Sequence, residues 1–306
     1  MESKLSADSS IAILGAGSAG IRHSKKLSEL GFRPTIYSRR NDAEEFSQRM
    51  KSSNGWADFD HLIVALETAS HLPMLLNLAN SKFQGKVLVE KPGLITMAHL
   101  DQLRGLDVQV AYNLRYLEGL RYVTEEMRDD QTISAAVVCH SNLKNWREDW
   151  NRQGQYSKSA ALGGGVLFDL SHEIDYFLGV FGEPQGLAGF GGRFGDVTTD
   201  ADDTWKVAAR FDQGYVVSID LSFVSHHEER KFQVNQAGKS LSIDLRSGLV
   251  EDSRSGHIQF NAPSSTTSLM LSDWLATASS RLPTLEQNMK TLSFIDKLRR
   301  LEVGTP

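Results

Sequence analysis

The first third of the chain alternates short apolar runs with longer amphipathic stretches. The runs IAILG (Ile11–Gly15), PTIYS (Pro34–Ser38), HLIVALE, GKVLVE and VQVAYN (Val108–Asn113) are strand-length and bounded by glycine, proline or polar residues. Between the first two, a helix is expected to about Leu30, with Gly31 at its C-terminal cap. NDAEEFSQRM opens a second helix, with Asn41 the expected N-cap, and HLPMLLNLANSKF reads as a third. Strand, helix and strand in this rhythm predict a parallel sheet.

The pattern changes after about residue 115. TISAAVVCHS reads as a strand and leads into a polar, aromatic loop, NLKNWREDWNRQGQYSKSA. GGGVLFDLSHEIDYFLGVFG has helical periodicity, with Leu167, Leu170, Ile174, Phe177, Leu178 and Phe181 on one stripe. Asp169 and His172 fall on the opposite side, as i,i+3 neighbours. From Gly186 to about Ile258 strands and tight turns prevail, and FDQGYV and NQAGKS place glycines where hairpins turn. In YVVSIDLSFV, Val217, Ile219, Leu221 and Phe223 alternate with polar residues, as a sheet with one buried face requires. The C-terminal stretch returns to helix, and PTLEQ opens the last one. The reading is an α/β Rossmann domain over 1–115, then an α+β domain over 116–306 for substrate binding and oligomerisation.

Composition narrows the function classes. The 306-residue chain carries a formal net charge of −5 with its basic residues dispersed, so no nucleic-acid footprint is expected. No run approaches membrane-span length, and MESKLSADSS lacks the apolar core of a signal peptide, so no membrane association is expected. Cys139 is the only cysteine, which excludes an internal disulfide and makes the cytoplasm the default compartment. No H-x-x-x-H or cysteine spacing suggests a metal site, so none is expected.

The chemistry-bearing motif is GAGSAG: Gly15, Ala16, Gly17, Ser18, Ala19 and Gly20. It matches G-x-G-x-x-G between a strand and a helix. There the glycines allow a tight turn, close approach of a pyrophosphate and close helix–strand packing. The helix N-terminus adds N–H groups and a positive dipole end. An NAD site usually carries an acid about 20 residues on, at the end of the second strand. Here that strand ends in Ser38, Arg39 and Arg40, and the first acid is Asp42. A hydroxyl followed by guanidinium forks suits a 2′-phosphate, so NADP is the expected cofactor and NAD the alternative.

LVEKPG (Leu88–Gly93) ends the fourth strand with Glu90, Lys91 and Pro92. With the glycine loop, ALETASH, AYNLRY, NWR and GGGVLFDLSHEID in that order, it resembles the Gfo/Idh/MocA family of nicotinamide-dependent sugar and polyol oxidoreductases. The resemblance spans most of the chain. It implies a C-terminal domain with a largely antiparallel sheet, a nicotinamide held in the cleft between the domains, and a homodimer or homotetramer. It also implies that Lys91, Asp169 and His172 form the catalytic set. Lys91 would stabilise charge on a substrate oxygen, and Glu90 would orient its ammonium. His172 would transfer the proton, while Asp169 either orients His172 or contacts substrate. The family's commoner spacing from that aspartate is four and seven residues; here His172 and Asp175 follow at three and six.

By the same resemblance Leu66, Glu67 and Thr68 border the nicotinamide. His71 is grouped with them, although a local hydrogen bond or helix cap is its more natural role. Asn113 is grouped with the cofactor and Arg115 with the substrate. Trp146 and Arg147 match a Trp-Arg pair near both, with a packed loop anchor the other reading of Trp146. Tyr156, with Ser157 and Lys158, lies in a loop able to read a sugar. The interval between the second strand and HLIVALE is short for the family, so a trimmed sheet edge is expected. The substrate implied is a sugar-like alcohol or ketone, in the direction of cell-surface sugar (nonulosonate) biosynthesis. A non-catalytic dinucleotide-sensing regulator on the same fold is the alternative.

Overall fold

The computed structural model describes residues 9–39, 42–127, 131–145, 155–195, 199–276 and 280–303. The chain divides into two compact units, one of residues 1–113 and 267–292, the other of 114–266 and 293–306.

The first unit holds a parallel sheet in the order β2-β1-β3-β4-β5. The strands are β1 (Ile11–Leu14), β2 (Thr35–Tyr37), β3 (His61–Val64), β4 (Lys86–Val89) and β5 (Asp107–Val110). Every residue of β1 is buried, as are Leu62–Val64 and Val87–Val89, because helices cover both faces of a parallel sheet. The helices α1 (Ser18–Glu29), α2 (Ala43–Lys51) and α3 (His71–Asn80) alternate with the strands. Strand order reverses between β1 and β3, and ligands in such sheets bind at the carboxyl ends beside that reversal. The expected N-cap Asn41 lies outside the described residues; Asp42 caps α2, its side chain accepting from Glu45 N at 3.0 Å.

The trimmed edge is present: β2 is the last strand on its side. Trp56, fully buried, packs edge-on against Tyr37 at 5.5 Å, and the Arg49 guanidinium lies 4.8 Å from the Tyr37 ring and 5.3 Å from Phe59. This cluster covers β2 where a longer chain would add a strand. The segment 267–292 runs along the opposite edge, where Val110 N donates to Pro283 O at 3.0 Å.

The second unit is an eight-stranded sheet in the order β13-β12-β11-β10-β6-β9-β8-β7. Its strands are β6 (Thr132–Asn142), β7 (Gly186–Gly192), β8 (Thr204–Arg210), β9 (Val216–Ser222), β10 (Val224–Gln236), β11 (Lys239–Asp244), β12 (Leu249–Asp252) and β13 (Gly256–Gln259). Only the β6–β9 pair is parallel, so the sheet is largely antiparallel as expected. Val217, Ile219 and Leu221 face the core, and Gly214 and Gly238 stand at the expected hairpin turns. Helices α4 (Glu118–Glu126) and α5 (Ser171–Phe181) belong to this unit; of the helices α6 (Pro263–Leu275) and α7 (Leu285–Val303), residues 267–275 and 285–292 belong to the first unit. Within this unit Phe177 of α5 stacks against Phe211 and Phe294 at 6.1 and 5.3 Å, joining α5 to the β8–β9 turn and α7. A capping box opens α7: Thr284 N donates to Gln287 Oε1, and Gln287 N to Thr284 Oγ1. Among the described residues no helix is long and apolar enough to cross a membrane.

One expected element is divided. GGGVLFDLSHEIDYFLGVFG is not a single helix: a turn at Val166–Asp169 is separated from α5 by Leu170, at φ −97° and ψ 28°. Asp169 therefore ends one helical piece and His172 lies in the first turn of the next. Asp202 caps the start of the first piece: its carboxylate accepts from Leu167 N at 3.1 Å and from Trp205 Nε1 at 3.0 Å.

Candidate cofactor and catalytic residues

In the first unit the glycine loop has the geometry of a dinucleotide site. Gly15, at φ 120°, passes so close to β3 that a β-carbon on it would sit 2.3 Å from Ala65 O. A β-carbon on Gly20 would lie 2.0 Å from Gly15 O, so glycine there lets α1 pack onto the loop. Gly17 differs. Its φ of −77° is open to any residue, and no atom lies within 4 Å of where its β-carbon would be. Among the described residues nothing demands glycine at 17, whereas a pyrophosphate laid against the loop would. Ala16 and Ala19 are half-buried and Ser18 is exposed, and α1 has no side-chain cap among the described residues. These residues fit a dinucleotide.

The end of β2 is tied to the loop through Gly15 N, which donates to Tyr37 O at 2.8 Å. Ser38 is buried and Arg39 exposed, its guanidinium 5.7 Å from the Phe46 ring. Arg40 lies outside the described residues. Asp42, the first acid after the strand, is engaged as the α2 cap.

After β3, Leu66 is half-buried, Glu67 exposed and Thr68 buried at the start of a 3-10 turn. His71 is buried, with Nδ1 2.9 Å from Gly93 O and Nε2 3.0 Å from Leu66 O. Both ring nitrogens thus face main chain, joining the loop after β3 to the loop after β4, which is the local role its sequence position suggested. Burial pushes the His71 pKa down, and the two carbonyls oppose that shift.

The Glu90–Gly93 turn is held on several sides. Gly93 N donates to Glu90 O at 3.0 Å, and Asn288 Nδ2 donates to Pro92 O at 2.7 Å. The Lys91–Pro92 peptide is cis and Lys91 is half-buried. Glu90 Oε1 lies 2.7 Å from His23 Nε2 and 3.2 Å from Arg22 Nη2, both on α1. Burial alone would raise the Glu90 pKa; the His23 contact and the charges of Arg22 and Lys91 outweigh it and hold the carboxyl well below the ordinary range. Sequence reading gave Glu90 to Lys91 and missed His23. The signal was present in GAGSAGIRH, but its partner stands 67 residues away. Asn113, half-buried, is the last residue of the N-terminal segment of this unit.

In the second unit Arg115 forms a two-point pair with Asp175: Nε to Oδ2 at 2.8 Å and Nη2 to Oδ1 at 2.7 Å. Burial pushes the Asp175 pKa up, and the Arg115 fork offsets that only in part. Glu173, fully buried, pairs with Arg230 of β10 in the same two-point way, at 2.7 and 3.1 Å. Neither pairing was legible in the sequence. Together they fix α5 on either side of the helix start that carries His172. Asp169 is buried and His172 half-buried.

The glycines leading to Asp169 answer to protein groups. A β-carbon on Gly164 would lie 2.2 Å from Tyr156 O, and one on Gly165, at φ 111°, would lie 2.3 Å from Asp202 Oδ1. Tyr156, in the helical turn Gln155–Lys158, is thereby packed against the run that positions Asp169. Trp146 and Arg147 lie outside the described residues.

Residues 124–242 match the family described as GFO/IDH/MocA C-terminal domain. No curated protein matches the chain. Among solved structures, an oxidoreductase from Agrobacterium radiobacter in complex with NAD+, L-tartaric acid and magnesium is similar, with 13% identity and TM-score 0.75 over 97% of each chain. A levoglucosan dehydrogenase in complex with NADH and levoglucosan is 14% identical at TM-score 0.77, covering 96% of this chain and 97% of that one. UDP-N-acetylglucosamine 3-dehydrogenase GnnA from Acidithiobacillus ferrooxidans is 14% identical at TM-score 0.72 over 97% of each chain. The chain thus matches the GFO/IDH/MocA C-terminal domain over 124–242 and has the fold of these three oxidoreductases.

Proposed function

We propose that the protein is a nicotinamide-dependent oxidoreductase of sugar-like alcohols or ketones. The observation that carries this is Gly17, a glycine that no atom of the described residues requires, at the mouth of a loop whose other two glycines are forced by backbone contact. The similar structures point the same way, since they include dehydrogenases of levoglucosan and of UDP-N-acetylglucosamine, and two were determined with NAD+ or NADH.

When bound, the nicotinamide supplies the hydride acceptor or donor; the chain's own residues do the rest. Gly15, Gly17, Gly20 and the α1 N-terminus bind the pyrophosphate. Lys91 stabilises negative charge on the reacting oxygen of the substrate. His172 takes or returns the proton of that oxygen, and Asp169 orients the imidazole. Arg115, as partner of Asp175, shapes the substrate side, with Tyr156 contributing a hydroxyl.

We assign NADP as the preferred cofactor. Ser38 and Arg39 follow β2, where chains of this fold usually carry the ribose-binding acid, and the first acid after the strand, Asp42, is occupied in capping α2. Within the sugar class, intermediates of cell-surface sugar biosynthesis, nonulosonic acids and their activated forms included, are the first to try. The test is a panel of sugars, sugar nucleotides and polyols, followed by nicotinamide absorbance with each cofactor. Turnover on a panel member supports the reading. Tight cofactor binding with no turnover on any would favour a dinucleotide sensor instead.

A further inference from the structure

The buried contact between His23 and Glu90 joins two parts of the first unit that the proposed chemistry must keep in register. His23 is 1% exposed and lies on α1, the helix that begins at the glycine loop. Glu90 is 8% exposed and shares one peptide with Lys91. That peptide is rigid and holds the two α-carbons about 3.8 Å apart, so whatever immobilises Glu90 also immobilises the Lys91 main chain. Beyond Lys91, the Pro92 and Gly93 carbonyls are fixed by Asn288 and His71. On the near side, the Glu90 side chain makes its contacts with α1: His23 at 2.7 Å, and Arg22, whose side chain is 51% exposed, at 3.2 Å. The buried partner, with the shorter contact, gives the anchor its geometry.

We propose that His23 is a positioning residue for Lys91, acting through Glu90 to couple the pyrophosphate-binding helix to the turn that presents the lysine. A shift of α1 on cofactor binding moves His23, and Glu90 carries that shift to Lys91. The inference rests on the oxidoreductase reading for its catalytic consequence, while the coupling itself can be observed without turnover. A displacement of about 1 Å at a reacting group can cost about 10²-fold in rate, which sets the effect expected on kcat.

The experiment labels the lysines by reductive methylation with 13C-formaldehyde and follows the Lys91 methyl resonance, assigned by its loss in Lys91→Arg. Spectra are recorded with and without NADPH for the wild type, His23→Phe, which keeps a ring and removes the hydrogen bond, and His23→Gln, which restores a nitrogen donor. NADPH is expected to shift the Lys91 signal in the wild type and in His23→Gln but not in His23→Phe, while other lysine signals stay in place. Where a substrate is in hand, kcat falls about 10²-fold in His23→Phe, KM is nearly unchanged, and His23→Gln restores the rate. A Lys91 signal in folded His23→Phe that matches the wild type, with its NADPH response intact, overturns the proposal. Should His23→Phe not fold, Glu90→Gln decides: an altered Lys91 signal supports the coupling, and an unaltered one refutes it. If NADPH binds nowhere and no substrate turns over, the oxidoreductase reading fails, and the cofactor-free Lys91 signal still judges the anchor.

Discussion

Gly17 and Gly20 belong to one motif and should respond oppositely to the same change. At Gly17 a methyl group meets no protein atom within 4 Å, and φ −77° suits alanine. Replacing a helix-capping glycine by alanine loses roughly 0.5–1 kcal/mol of capping preference, and the stiffer unfolded chain returns about 0.4–1 kcal/mol. Gly17→Ala should therefore leave the thermal midpoint nearly where it was. On the proposed function the methyl would stand against the pyrophosphate, so displacing one charged hydrogen bond of roughly 1.5–3 kcal/mol should weaken NADPH binding by about 10- to 100-fold. At Gly20 the methyl would sit 2.0 Å from Gly15 O, a main-chain atom that cannot swing aside. Gly20→Ala should cost about 1–3 kcal/mol of stability or more, since overpacking forces backbone shifts. The assays are a thermal melt and a fluorescence titration of NADPH on each variant. Undiminished NADPH affinity in Gly17→Ala, or a stability loss there equal to that of Gly20→Ala, would refute the reasoning.

The fold was legible where its causes are local. IAIL followed by glycines, the alternation at Val217, Ile219 and Leu221, and the Thr284–Gln287 capping box each state their structure within a few residues. Boundaries decided by a distant side chain were not. Asp202 caps the turn Val166–Asp169 through Leu167 N from 35 residues away, which no periodicity reveals. The site divides in the same manner. The glycine loop reads directly because its three glycines fall within six residues between one strand and one helix, even though Gly15 is forced by Ala65, 50 residues on. The partners of Glu90, Asp175 and Glu173 depend on which strand lies beside which helix, and the sequence does not print that order.

Three further outcomes are expected. Wild type should bind NADPH more tightly than NADH, and Arg39→Ala should weaken NADPH binding by about 10- to 100-fold with NADH little changed; titrations in which NADH binds tighter would reverse the cofactor assignment. His172→Asn should lower kcat/KM by about 10²–10⁴-fold, the usual contribution of a general acid–base; near wild-type activity in the variant would shift the search for the base to Asp169. The open face of the second sheet, with Val216 46% exposed and Ser218 beside it, should carry self-association, so light scattering at micromolar protein should return at least a dimer mass; a monomer mass would count against it.

Hydride transfer organised around Lys91 is best tested by following the hydride itself. NADPH deuterated at both C4 positions is incubated with the protein and a panel of keto-sugars, and the products are examined by mass spectrometry for deuterium on carbon. The wild type should give a labelled alcohol. Lys91→Ala should lower the rate of labelling by about 10²–10³-fold, the usual effect of losing one preorganised electrostatic group, while NADPH affinity is largely kept. Labelling by Lys91→Ala at the wild-type rate, or NADPH bound tightly by the wild type with no deuterium reaching any panel member, would contradict this chemistry.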